Sequence, residues 1–148
     1  MSEPGAWLHA TAVLVAEGAV LIRGASGSGK SQLALALMAE ARRRGLFTGL
    51  IGDDRVRVSV AGARAIVHGH ASIEGWIEER GSGILPQISE AAGLICCIVN
   101  LLDDPPRLPE DEANPVPLMG VSLPGLALWT GCAPQEGARR VLAFLKWV

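Results

Sequence analysis

Gly24-Ala25-Ser26-Gly27-Ser28-Gly29-Lys30-Ser31 is the stretch whose reading decides the fold. It fits G-x-x-x-x-G-K-[ST], the pattern of a loop that wraps phosphate. Glycines let the backbone curl until several N–H groups point at one anion. A helix beginning at the loop's end adds its positive N-terminal dipole. Lys30 then reaches the β- and γ-phosphates, and Ser31 offers an oxygen to Mg²⁺. The chain has 18 glycines, so a chance match has to be weighed. Ordinary residue frequencies produce one in roughly one chain per hundred. Context lowers that figure. The apolar run Ala19–Arg23 reads as a strand just before the loop. Ser31–Arg44, with Leu33, Leu37 and Ala41 near helical spacing, reads as the helix just after it. Strand, loop, helix is the arrangement that supports the motif, and the eight residues form the expected nucleotide-binding set.

Outward from the loop, Leu8–Ala16 and Ala19–Arg23 are β-branched, apolar runs separated by Glu17-Gly18, the pattern of a hairpin. Gly45 follows three arginines, a fitting end for the helix. Gly49–Asp53 reads as a short buried strand, Arg55–Val60 as a half-exposed one and Arg64–His68 as another. Gly93–Leu102 is the most apolar stretch and the expected central strand. Asp103–Pro117 holds five prolines and five acids and reads as a loop or sheet edge. Pro134–Trp147 reads as a closing helix with Val141, Leu142 and Leu145 on its apolar face.

Composition sets the outer bounds. A chain of 148 residues with no internal repeat suggests one domain, 1–148. Apolar residues make up 49% and charged residues 19%, a globular balance. A formal charge of -2 excludes a domain-wide basic field for nucleic acid. No uncharged apolar run is long enough to span a bilayer, so no membrane role is expected. The N-terminus lacks the pattern of a secretion signal. Cys96 and Cys97 sit together in the apolar strand, and Cys132 stands apart. An odd count of this kind fits reduced thiols and a cytoplasmic setting. Without CxxC spacing, a zinc site is not expected.

A triphosphate site that transfers to an alcohol also needs acids for the metal and a base. Leu50-Ile51-Gly52-Asp53-Asp54 puts two carboxylates at the end of a short apolar strand, where the ligand crevice of an open α/β sheet lies. The rival is Asn100-Leu101-Leu102-Asp103-Asp104, whose acids run straight into two prolines. The strand-end rule favours Asp53 and Asp54. Paired aspartates in a solvated turn are common, so the assignment stays open on this ground alone. Glu78-Glu79-Arg80-Gly81-Ser82-Gly83 is dense in charge and reads equally as a salt-bridged turn. His9 lies in the first expected strand, where a lone histidine is usually structural. His68 and His70 have no third partner at ligand spacing and read as surface.

Taken together, these pieces resemble the catalytic domain of HPr kinase/phosphorylase, in its short form without an N-terminal regulatory domain. The likeness runs from Leu8 to Leu123. It rests on Leu8-His9-Ala10, on Val20 to Gly24 leading into Gly29-Lys30-Ser31, on Asp53-Asp54-Arg55-Val56, and on Glu78-Glu79-Arg80-Gly81-Ser82-Gly83-Ile84, which matches E-x-R-G-x-G-I. The resemblance implies a single α/β domain of the P-loop, phosphoenolpyruvate-carboxykinase-like type, with a mixed, strongly bent sheet. It implies ATP and Mg²⁺ as cofactors and a serine of an HPr-like phosphocarrier protein as acceptor. The reverse reaction would use inorganic phosphate, and the family assembles as a homo-hexamer. By position, it implies that Lys30 holds the β- and γ-phosphates and that Ser31, Glu78 and Asp54 serve Mg²⁺. Asp53 would be the base, His9 its neighbour, and Arg80 a cation near the transferred group.

Three features depart from the longer members. Leu85 to Glu90 leads almost directly to the central strand, with no arginine between Arg80 and Arg107. Gln32 stands where an acid is common, and the C-terminal helices reduce to one. Phosphorylase activity, carrier contacts and the hexamer depend on those parts; nucleotide binding does not. Two other readings stand beside the kinase: a nucleotide-binding sensor with little turnover, and a different P-loop kinase acting on a small molecule.

Overall fold

The computed structural model describes residues 5–69, 76–79, 83–86, 89–105 and 113–146, with backbone alone at 76–79, 83–86 and 113. Among the described residues thirteen elements follow in order: β1 (Ala6–Leu8), β2 (Ala10–Val15), β3 (Gly18–Arg23), α1 (Lys30–Arg43), β4 (Thr48–Gly52), β5 (Val56–Ala61), β6 (Arg64–His68), β7 (Trp76–Glu79), β8 (Gly83–Pro86), β9 (Ala92–Leu102), β10 (Ala113–Leu118), β11 (Val121–Trp129) and α2 (Pro134–Phe144).

The most apolar segment is the hub. β9 pairs antiparallel with β6 at its start, parallel with β3 along its middle and parallel with β11 at its end. β3 continues antiparallel to β2, and β2 to β4. β1, β5 and β6 extend the sheet on the other side, and β10 closes it beyond β11. The result is a nine-stranded mixed sheet, with β7 and β8 as a separate antiparallel pair. One strand cannot hold two neighbours on the same side unless the sheet splits and bends, and β6 and β11 share β9 in this way.

The bend gives two cores. On one face Val13, Ile22, Leu50, Val99 and Leu128 pack under Leu33, Leu37 and Met38 of α1 and Val141 and Leu142 of α2. On the other, Leu21, Ile51, Val58, Val67, Ile98 and Leu123 close on each other, with no helix over them among the described residues. Burying each such side chain stabilises by about 1.5–3 kcal/mol. α1 stops where its sequence says it should. Gly45, at φ 83°, carries the N–H that bonds Arg42 O at 2.9 Å, and Leu46 N–H reaches Ala41 O at 2.9 Å. These two bonds form the glycine-ended cap that satisfies the last carbonyls.

Two expectations need correction. The first strand is interrupted: His9 is an exposed bend between β1 and β2, so β1 leaves the β2–β3 hairpin and pairs with β5 instead. The proline-rich stretch, by contrast, lies at the expected edge: part of it forms β10, which among the described residues pairs with β11 alone, where a missing N–H is tolerated. His68 is no surface residue; it is half-buried, its Nε2 2.9 Å from Ser59 Oγ. The strand β11 was not legible as an element at all. Cys96, Cys97 and Cys132 are free thiols, Cys97 fully buried. No helix among the described residues is long and apolar enough to cross a membrane.

Candidate functional site

β3 ends at Arg23 and the chain enters the glycine loop. Gly27 at φ 79° and Gly29 at φ 102° take left-handed backbone that a side chain would strain. Ser28 N–H closes the loop on Ala25 O at 3.0 Å. Gly24 has no room for a side chain either: a Cβ there would collide with Ser28 Oγ and lie 3.1 Å from Leu101 Cβ. The Ser28 hydroxyl is buried and has no hydrogen-bond partner among the described residues. α1 then begins at Lys30 with Gly29 as its N-cap and no side-chain cap, so its first N–H groups face the loop.

Lys30 is 6% exposed, a rare degree of burial for a lysine. Its ammonium lies back over the loop, donating to Gly24 O at 3.1 Å and Ala25 O at 3.3 Å, and stands 3.5 Å from Asp54 Oδ1. Asp54 is 67% exposed, so the pair adds little stability. It does keep a carboxylate beside the lysine.

Asp53 follows β4 directly and is 8% exposed. Ser31 Oγ donates to Asp53 Oδ1 at 2.6 Å, and Thr11 Oγ1 donates to the same oxygen at 2.9 Å. Thr11 also accepts the Asp54 N–H at 3.1 Å, so one buried hydroxyl fixes both acids. Asp54, at φ 64°, turns the chain so that the two carboxylates diverge: Asp53 toward Ser31, Asp54 toward Lys30. A non-glycine residue in this region is uncommon, and aspartate tolerates it better than most. Beyond β3, Arg23 Nε donates to Asn100 Oδ1 at 2.9 Å across the parallel pair, and burial lowers the Arg23 pKa.

The loop, Lys30, Ser31, Asp53 and Asp54 thus converge. His9 stays exposed at its bend, two residues before Thr11. The rival acid Asp103 is exposed beyond β9, with Thr130 Oγ1 3.4 Å from it. Arg80 and the side chain of Glu78 lie outside the described residues, as does His70. The backbone of β7, which carries Glu78, lies against α1 and β4. Sequence reasoning missed Thr11, whose role depends on a partner 42 residues away.

The oxygens gathered here fit Mg²⁺. Ser31 Oγ and the Asp54 carboxylate are hard donors, and this ion is commonly held by one or two carboxylates plus phosphate and water. Among the described residues no group of three or more His, Cys, Asp or Glu gathers as a metal-holding cluster.

On the other side of the loop, between the loop, the ends of β9 and β11 and the start of α2, lies a cavity of about 230 Å³. Gly137 lets α2 approach it closely: a Cβ there would stand 2.9 Å from Leu33 Cδ1.

An α/β domain with a glycine-rich loop leading into a helix, and with a lysine and two carboxylates at the mouth of that loop, is the class that this fold and site define. More narrowly, a family model, HPr Serine kinase C-terminal domain, matches residues 3–97, and the chain belongs to that family. The match takes in the loop, both aspartates and Glu78 to Ile84; β10, β11 and α2 lie beyond it. Among solved structures, the HPr(Ser) kinase/phosphatase from Coxiella burnetii is similar over 95% of this chain and 99% of that chain, with a TM-score of 0.71 and 20% identity. At that identity the likeness speaks for the fold alone, the phosphoenolpyruvate-carboxykinase-like arrangement with its bent mixed sheet. No curated protein sequence matches the chain.

Proposed function

We propose that this protein is a serine kinase that transfers the γ-phosphoryl group of ATP to an HPr-like phosphocarrier protein of the sugar phosphotransferase system. In the same site it would run the reverse reaction, phosphorolysis of the phosphoserine. Membership of the HPr serine kinase family supports phosphoryl transfer in general. One observation carries the finer reading: Lys30, Ser31, Asp53 and Asp54 meet at one end of the phosphate loop, with Thr11 fixing the acids.

The loop backbone and Lys30 hold the β- and γ-phosphates. Lys30 exchanges its contacts to Gly24 O and Ala25 O for phosphate oxygens. Asp53 already accepts two hydroxyl hydrogen bonds, from Ser31 and Thr11, and is the base for the acceptor serine's proton. In reverse it returns that proton to the serine oxygen as phosphate attacks. Bound Mg²⁺ supplies charge neutralisation between the phosphates, with Ser31, Asp54 and Glu78 as its protein oxygens. The family resemblance would add His9 as the neighbour of the base and Arg80 as a cation for the transferred group. The protein would act in the cytoplasm as a homo-oligomer, without nucleic acid or membrane partners.

The test is incubation of the purified protein with labelled ATP, Mg²⁺ and an HPr-like carrier, followed by mass spectrometry of the carrier. Stoichiometric phosphoserine is the expected result. ATP binding without transfer would replace the kinase with a nucleotide sensor.

A further inference from the structure

We propose that the cavity beside β9 and β11 receives the base of the bound nucleoside triphosphate, with Trp129 as its stacking surface. The inference rests on the loop's binding of a triphosphate. Strand order supplies the first support. Across the sheet the order is β4, β2, β3, β9, β11, and the loop rises from β3. Asp53 and Asp54 follow β4 on one side. The cavity lies on the other, with Gly27 to Gly29 as a wall shared with the phosphate site. A triphosphate laid across the loop with its γ end at the acids has its nucleoside end at the cavity.

The chemistry agrees. Leu101 and Leu128 line the cavity, and among the described residues no charged side chain does. That suits a flat, neutral heteroaromatic ring and not a second phosphate. Sites for drug-sized ligands run to about 300–1,000 Å³. At about 230 Å³ this one holds part of a nucleotide, with the ribose and phosphates outside. Trp129 borders it and is 45% exposed, a large apolar ring left half in water. Gly131 lies under that ring: a Cβ there would stand 2.5 to 2.7 Å from indole carbons, so a side chain at 131 would displace it. Base-on-aromatic stacking is sequence-tolerant because every base has a π face. Gln32, on the first turn of α1, adds an uncharged hydrogen-bonding group.

Cys132 also lines the cavity and reports on it. The other two thiols are poor competitors for alkylation: burial pushes Cys97 up to about 12, and Cys96, raised by burial, donates to Ala19 O. Two probes separate the base from the phosphates: Mg-ATP and Mg-tripolyphosphate. By calorimetry, Trp129→Ala should weaken ATP by roughly tenfold or more, the usual worth of a stacked base. Tripolyphosphate affinity should not change. Cys132→Phe, which fills the cavity from its rim, should behave alike. In the unmodified protein ATP should slow iodoacetamide labelling of Cys132, and tripolyphosphate should not. Normal tripolyphosphate binding, together with unchanged ATP affinity in both variants and no protection of Cys132, would overturn the base site and leave the loop reading intact. Equal loss of both ligands in Trp129→Ala would also overturn it, because the residue would then act on the phosphates. If neither ligand binds the unmodified protein, the loop reading itself falls and this inference with it.

Discussion

The two flanks of the phosphate loop are built from opposite materials. On the β4 flank, Asp53, Thr11, Ser31, Lys30 and Asp54 form one hydrogen-bonded cluster, and three of the five are buried. On the β11 flank, leucines and a half-exposed tryptophan surround an empty volume. Buried polar groups are costly unless partnered, so a network this dense is kept only where every member is positioned. Apolar cavities cost dispersion contacts and are filled when an apolar ligand enters. One flank is thus organised to place charge and protons, the other to accept a ring. The glycine loop, with nothing but backbone and small side chains, serves both.

The largest break in that contrast is Lys30→Ala. It removes a buried cation between the flanks, and triphosphate binding should be lost while the protein stays folded. Calorimetry with Mg-ATP reads the loss and circular dichroism the fold; wild-type affinity in the variant would remove the loop from the site.

Next in size is Asp53→Asn, which keeps shape and takes away the proton acceptor. Phosphotransfer should fall by about 10²–10⁴-fold, the usual worth of a general base, while ATP affinity holds. Asp54→Asn should instead raise the Mg²⁺ concentration needed for half-maximal rate. Asp103→Asn should change neither. An inactive Asp103→Asn beside an active Asp53→Asn would move the chemistry to the β9 end.

Thr11→Val tests how the polar flank is held. The shape is kept, but the Asp54 N–H and Asp53 Oδ1 each lose a partner. An orphaned buried group costs about 1–3 kcal/mol. For a chain of this size each kcal/mol lowers Tm by about 2–4 °C. Misplacing a catalytic group by an ångström can cost about 10²-fold in rate. A thermal melt and a rate assay on the same preparation check both. A drop in Tm with full activity would show Thr11 to be a core residue only.

What the sequence carried, and what it hid, divides along the same line. The loop, the helix after it and the cap at Gly45 are local: every interaction that makes them lies within a few residues. Asp53 was legible because a short apolar strand ends there. Thr11 was not, because its hydroxyl meets the acids only through the β2–β4 pairing. The cavity flank was the least legible. Asn114-Pro115-Val116-Pro117 reads as a loop or sheet edge and not as a definite strand; it does lie at the edge, Pro115 opposite Pro124, where a missing N–H costs little. With β10 hidden, β11 lost its hairpin partner and Trp129 its context. The interrupted first strand at His9 has a tertiary cause too: β1 turns away to cover β5.

The smallest expected effect lies in the loop itself, at Ser28. Its hydroxyl is buried beside Gly24 and finds no hydrogen-bond partner among the described residues. A native structure rarely leaves such a group unpaired without a use for it. Ser28→Ala deletes the orphan and only a small volume, so the ligand-free protein should gain up to about 1 kcal/mol, seen as a rise of about 2–4 °C in Tm. If the loop rearranges around a triphosphate so that Ser28 finds an acceptor, the gain reverses in the presence of ligand. The variant should then show a smaller Tm increase on saturation with Mg-ATP than the unmodified protein, since ligand stabilisation tracks affinity. Paired melts with and without Mg-ATP decide it. A fall in Tm without ligand would mean that the hydroxyl is already satisfied, and that the loop is finished before the nucleotide arrives.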